Sequence, residues 1–199
     1  MLSGQNIRLE PLTDEHLEGL FKAIATPKVF EFGFGGGLSA LPESLEAFSE
    51  WNDKYHQSSN NNYAVVHTGA DELVVGCTTL GDFDSRREAT HIGWTAYDPR
   101  VWGSVVNPEA KLLLLTEAFD AGFGRVKIQT DVLNERSRAA ILGIGAKFEG
   151  VIRREQPRAD GTWRDSAVYS VIIDEWPQVR EHLRERVSNA PKVALSTHD

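Results

Sequence analysis

The stretch Asp98-Pro-Arg-Val-Trp-Gly-Ser-Val-Val-Asn-Pro-Glu-Ala-Lys111, which runs into the apolar block Leu112 to Leu115, decides the reading of this chain. Asn107 suits an N-cap and Pro108 the first helical position, so the spacing predicts a loop followed at once by a capped helix. Backbone N–H groups of the loop and first turn then have no intrahelical acceptor, and the helix terminus carries roughly half a positive charge. Such a terminus binds a phosphate or pyrophosphate without a cluster of Lys or Arg. The residues expected to form this cradle are Trp102, Gly103, Ser104, Val105, Val106 and Asn107.

Working outward, the four leucines with Ala118 and Phe119 make the helix apolar around most of its circumference, so it should pack against a sheet. Before the loop, Tyr63–His67 and Leu73–Leu80 read as a hairpin around Thr68–Asp71, and Thr90–Ala96 as a third strand. After the helix come the strand-like Val126–Val132 and a helix opened by Asn134 and Ser137. Lys147–Glu155 and Ser166–Ile173 form a strand pair around Asp160-Gly161, and a charged helix is capped by Asp174. At the N-terminal end, Asn6–Leu12 alternates like a strand. Thr13 caps a helix presenting Leu17, Leu20, Phe21 and Ile24, Thr26-Pro27 ends it, and Pro42 opens another carrying Leu45, Phe48 and Trp51. Phe30 to Gly37 combines three aromatics with four glycines and reads as a loop; Gln57 to Asn62 is a polar break.

The order loop, helix, strand, Asn-x-x-Ser helix and Gly145-Ala146-Lys147-Phe148 resembles the GNAT N-acetyltransferases, most closely the branch that acetylates ribosomal-protein N-termini (RimJ/RimL-like), from about Asn6 to about Leu183. Arg100-x-x-Gly103 resembles the front of that family's pyrophosphate loop. Val105 stands where the family prefers Gly or Ala, and a β-branched residue would resist a positive φ and narrow the approach to pyrophosphate. The resemblance implies an α/β fold, a mixed, mostly antiparallel sheet of about six to seven strands with about four helices. It also implies acetyl-CoA as co-substrate and a primary amine as acceptor, either a protein N-terminus or a small amine such as an amino acid, polyamine or aminoglycoside. A non-catalytic acyl-CoA-binding or partner-binding member of the fold is the other class.

Acetyl transfer needs a neutral amine, an oxyanion donor and a proton for the thiolate. Deprotonating an α-amino group at pH 7 costs only about 1.2 kcal/mol, a lysine amine about 4.6 kcal/mol. His91 stands where the family places a carboxylate base, in His91-Ile92-Gly93-Trp94, and Glu88 is a second, solvated candidate. The implied oxyanion donor is a backbone N–H near Ile92 to Trp94. Ile141 occupies the place of the family's acidic tyrosine, leaving Ser137 as the nearest polar substitute, with Asn134 both capping and catalytic. Arg138, and secondarily Arg100, are assigned to the coenzyme phosphates. Phe32, Phe34 and Trp94 are assigned to the acceptor wall, where the phenylalanine loop is either a lid moving on its glycines or a packed apolar loop.

Composition bounds the rest. A chain of 199 residues with 41% hydrophobic residues fits one domain, taken as residues 1–187 with a fraying tail over 188–199. A net charge of −8 disfavours nucleic acid, and no apolar run reaches membrane-spanning length. The single cysteine, Cys77, and the absence of ligand spacing argue against disulfides and metal and for a cytoplasmic setting. The C-terminal strands can pair between subunits, which leaves a homodimer open.

Overall fold

In the computed structural model, which describes residues 1–56, 59–69, 71–193 and 195, β-branched and apolar runs assemble into one eight-stranded sheet of order β1-β2-β3-β4-β5-β6-β8-β7. The strands are β1 (Leu2–Ser3), β2 (Ile7–Pro11), β3 (Asn61–His67), β4 (Val74–Asp84), β5 (Ala89–Tyr97), β6 (Arg125–Asp131), β7 (Lys147–Pro157) and β8 (Trp163–Ile172). Every neighbouring pair is antiparallel except β5 and β6, which run parallel and are joined through α4 (Val106–Asp120). The expected hairpins and the Asp160-Gly161 turn are present, and β1 adds a strand too short to read from periodicity.

Alternation along the strands separates two apolar clusters. Ile7, Leu9, Ile92, Ile128, Tyr169 and Val171 pack with Leu114, Leu115 and Ala118 of α4 and with Val179 and Leu183 of α6 (Trp176–Asn189). Cys77 and Ala96 instead meet Leu20 and Ile24 of α1 (Leu17–Ile24), Phe30 of α2 (Pro27–Phe30) and Phe48 of α3 (Leu45–Tyr55). Full burial of side chains such as Leu114 and Leu115 contributes about 1.5–3 kcal/mol each, so α4 is fixed firmly under the sheet. The buried carboxylate of Glu109 adds a tie, accepting from the N–H groups of Gln5 (2.5 Å) and Asn6 (3.0 Å).

Several helix boundaries differ from the sequence expectation. Thr13 opens a short 3₁₀ turn, Asp14–His16, before α1 begins. α1 ends just before Thr26-Pro27 as expected, and Pro27 also opens the short α2, because proline is well placed at a first helical position. Pro42 precedes α3, whose cap is Ser44, its Oγ accepting from Ala47 N–H at 3.2 Å. α6 follows Glu175, one residue beyond the expected Asp174. The tail stays docked as far as it is described: helix α6 continues to Asn189, Pro191 O accepts from Val105 N–H at 3.2 Å, and Val193 and Leu195 pack on the core. Gln57 and Ser58 of the expected polar break, Ala70 of the expected turn, and Ala194 and residues 196–199 of the tail lie outside the described residues.

Candidate active site

β5 and β6 pair only from Ala89↔Arg125 to Ile92↔Ile128; beyond that point the strands part. At the same place β5 is bulged against β4. Thr79 pairs with Gly93 and Cys77 with Ala96, which leaves Thr78 facing both Trp94 and Thr95. Trp94 takes φ +48, a left-handed conformation that costs a non-glycine residue about 1 kcal/mol or more. Hydroxyl bonds hold the bulge, with Thr78 and Thr95 Oγ1 atoms 2.8 Å apart and Thr95 donating to Gly93 O at 3.2 Å. Parting and bulge together open a cleft of about 390 Å³ through the middle of the sheet.

One end of the cleft is the loop that precedes α4. Its helix starts at Val106, so Asn107 is not the cap and Pro108 sits at the third helical position, where its missing N–H is still no loss. Ser104 takes the capping part: its Oγ accepts from Val106 N–H at 3.3 Å and donates to Val101 O at 2.6 Å. The positive φ lies at Gly103 (+74), not at Val105, which is helical (φ −63) and fully buried. The expected clash of Val105 with a pyrophosphate therefore does not arise. The side chains of Val105 and Val106 belong to the core, and their N–H groups are already bonded to Pro191 O and Ser104 Oγ. Among the described residues, the N–H groups of Gly103 and Asn107 have no protein acceptor, and both residues line the cleft with Trp102 and Ser104.

Arg136, rather than Arg138, stands beside this loop, together with Lys28, whose Nζ is 5.4 Å from the Trp102 ring. Arg136 lies 3.3 Å over the Trp102 ring and lines the cleft. Arg138 turns away, donating from Nε to Tyr169 Oη (3.2 Å) and from Nη1 to Val132 O (3.3 Å). Arg100 is drawn onto the carboxylate of Asp98, with Nη2–Oδ2 2.8 Å.

Helix α5 (Glu135–Gly143) forms one wall. Asn134 caps it, its Oδ1 accepting from Ser137 N–H at 2.9 Å, and Asn134, Ser137 and the buried Ile141 all face the cleft. Opposite, from the second turn of α4, Lys111 reaches in. It is 4% exposed, donates from Nζ to Thr95 Oγ1 at 3.1 Å and has no carboxylate within ion-pairing distance among the described residues. Burial pushes its pKa down from 10.5 to about 7. Lys111 gave no sequence signal, because a lysine on a helix is normally solvated.

His91 is placed apart from these groups. Its ring is buried against Trp94, Nδ1 meets Asp82 Oδ2 at 3.0 Å, Nε2 is buried without a partner, and the residue is not among those lining the cleft. Burial lowers its pKa, against the pull of Asp82 in the other direction, so the ring is neutral near pH 7. Glu88 is exposed and lies outside the cleft; its carbonyl accepts from Gly124 and Arg125 N–H.

At the far end, Phe32, Phe34, Tyr55 and Trp94 line the cleft with Gln129, Asp131 and Arg164. The glycine segment takes the packed arrangement, one of its two expected forms. Gly35 O accepts from Trp51 Nε1 (3.1 Å), Gly35 N–H donates to Tyr55 Oη (3.4 Å), and Gly36 O accepts from Ala159 N–H (3.0 Å). At Gly35, φ is +62 and a Cβ would come within 2.5 Å of the Trp51 ring, so only glycine fits.

A family model described as an acetyltransferase (GNAT) domain matches residues 6–147. The chain belongs to the GNAT acetyltransferases. Solved GNAT relatives include a protein of T. thermophilus inferred to be an acetyltransferase, 34% identical over 93% of this chain and 95% of that one, with a TM-score of 0.81. A GCN5-related N-acetyltransferase from Brucella melitensis is 27% identical over 94% and 85% of the two chains (TM-score 0.84). RimJ of Mycobacterium smegmatis, solved with CoA-disulfide, shares the fold at 17% identity over 94% and 91% (TM-score 0.73). Among curated proteins none matches. As a GNAT N-acetyltransferase the chain is expected to use acetyl-CoA, and no group of metal-ligating side chains occurs among the described residues. No described helix is long and apolar enough to cross a membrane.

Proposed function

We propose that this GNAT enzyme acetylates an α-amino group, that of a protein or peptide N-terminus in the manner of the RimJ/RimL branch. The observation that carries this reading is the set of titratable groups in the cleft: burial brings Lys111 down to about pKa 7, and among the described residues the carboxylate that lines the cleft, Asp131, is paired with Arg158. Without a strong base, an α-amine still reaches its neutral form near pH 7 at little cost, whereas a lysine amine does not. A small amine such as a free amino acid is the second reading, favoured by the aromatic side chains of Phe32, Phe34, Tyr55 and Trp94 that wall the acceptor end of the cleft.

Acetyl-CoA supplies the thioester, whose acetyl group passes to the amine with release of the thiol. The N–H groups of Gly103 and Asn107 and the guanidinium of Arg136 hold its phosphates, Ser104 shapes the loop that presents them, and backbone N–H groups of β5 at the bulge serve the carbonyl oxygen. Lys111 keeps a proton at Nζ near neutrality and delivers it to the leaving group, the task that Ile141 cannot perform. Ser137 orients the thiol and Asn134 fixes the helix that carries it. Phe32, Phe34 and Trp94 contact the acceptor. The setting is cytoplasmic, and a homodimer forms through the exposed apolar edge of β7, at Phe148, Val151 and Ile152.

Thermal unfolding with and without millimolar acetyl-CoA, followed by thiol release on an Ala-initiated peptide, tests the reading. Ligand at about 100 times its dissociation constant adds roughly 2.7 kcal/mol, a rise of several degrees. Stabilisation without thiol release on any amine would leave a binding protein, and no stabilisation would remove the cradle.

A further inference from the structure

Two polar atoms are buried without any protein partner at the acceptor end of the cleft, the Nε–H of Arg164 and the Oε1 of Gln129. Both side chains line the cleft. They come from β8 and β6, whose register sets Gln129 opposite Val168 and Asp131 opposite Ser166, so Gln129, Asp131, Ser166 and Arg164 share one face of the sheet. Folded proteins rarely leave such groups unpaired unless a ligand or water completes them.

The nearby carboxylates are committed elsewhere. Asp131 is held by the Arg158 guanidinium and by Leu133 N–H (3.0 Å), and Glu155 faces Gln129 Nε2 at 3.4 Å. Both lie within electrostatic reach of Arg164, yet neither forms an ion pair with it. Its hydrogen bond from Nη1 to Gln156 Oε1 is long, at 3.4 Å. Arg164 is thus a permanent cation with donors to spare, facing walls made of Phe32, Phe34, Tyr55 and Trp94 that offer it no anion. A purely cationic acceptor, such as a polyamine, would meet the Arg164 guanidinium.

Building on the acetyl-transfer reading above, we propose that the acceptor carries a carboxylate close to its primary amine and that Arg164 anchors it, with Gln129 Oε1 accepting from an N–H of the same molecule. The carboxylate is the α-carboxylate of a free amino acid or the side chain of an Asp- or Glu-initiated peptide. The aromatic walls accommodate its apolar body. A guanidinium is suited to this task because its fork matches a carboxylate in two parallel bonds.

The test uses matched pairs that differ only in that charge, L-phenylalanine against L-phenylalaninamide and the amidated peptide Glu-Ala-Ala against Gln-Ala-Ala. Binding is measured calorimetrically on the full chain saturated with coenzyme A, for wild type, Arg164→Gln and Arg164→Lys, with unliganded melting as the check of folding. In at least one pair the acid should bind about tenfold or more tightly than its neutral partner. Arg164→Gln should abolish that preference and Arg164→Lys keep part of it. The responding pair tells which carboxylate is read. An acid no better than its neutral partner in either pair, or a preference that survives Arg164→Gln, overturns the proposal. Should Arg164→Gln not fold, the wild-type pairs and Arg164→Lys decide alone. Thiol release is read separately: Arg164-dependent binding without release keeps this site and removes acetyl transfer, whereas release indifferent to the carboxylate does the reverse.

Discussion

Replacing Lys111 with methionine should make the enzyme more stable and less active. The amine is buried in the cleft with Thr95 Oγ1 as its hydrogen-bond acceptor, and its pKa falls from 10.5 to about 7. Between those values the unfolded chain holds a proton that the folded chain has released. Folded stability therefore rises with pH across this window, and at pH 7 the term costs about 4 kcal/mol. Methionine fills similar space without that term but forfeits one hydrogen bond, worth about 1 kcal/mol, for a net gain of about 3 kcal/mol at pH 7. Thr95 stays satisfied through Thr78 and Gly93. Melting followed by circular dichroism at pH 6, 7, 9 and 10 should show the variant ahead by several degrees at pH 7 and below, with the gap closing toward pH 10. Thiol release should fall by about a hundredfold. A variant no more stable than wild type at pH 7, or a gap unchanged up to pH 10, would refute the reasoning.

Other substitutions separate core from site. Val105→Gly should lower stability by about 2–3 kcal/mol through the lost buried side chain and looser backbone, while the melting shift produced by acetyl-CoA stays as in wild type. Arg136→Ala should weaken acetyl-CoA about tenfold in a binding titration; Arg138→Ala should leave that affinity within about twofold and instead cost about 1–2 kcal/mol of stability. His56, with Nδ1 on Asn52 Oδ1 at 3.0 Å, is pushed down to about 4 by burial. The unfolded chain takes up that proton first, so stability should fall between pH 6.5 and 4 by up to about 3 kcal/mol, and urea titrations of His56→Phe should lack this component.

What the sequence made legible was local. The runs Tyr63–His67 and Thr90–Ala96 name their strands by β-branched content, the leucines of α4 announce its burial, and Asn134 three residues before Ser137 marks a cap that the structure forms. What stayed hidden depends on register and rotation. Arg164 reaches the cleft only because β8 lies beside β6, a pairing between segments some distance apart in the chain. Arg136 and Arg138 lie on either side of Ser137, and composition alone gives no way to choose the one that turns toward Trp102. The bulge that bends β5 at Trp94 turns on a positive φ at a residue that seldom adopts one, so no propensity argument finds it. The family resemblance marks His91 by its place in His91-Ile92-Gly93-Trp94, and that place does not say that its neighbours enclose it.

The buried Cys77 has a practical consequence for studying the enzyme. It is the sole thiol of the chain, fully enclosed beneath the bulge, and burial raises its pKa to about 12. A disulfide reagent added during turnover will therefore colour with released coenzyme and not with native protein. The same thiol becomes a clock for opening: its slow labelling, followed with time in mild urea, reports how often the sheet beneath the cleft exposes its interior, and bound acetyl-CoA should slow it.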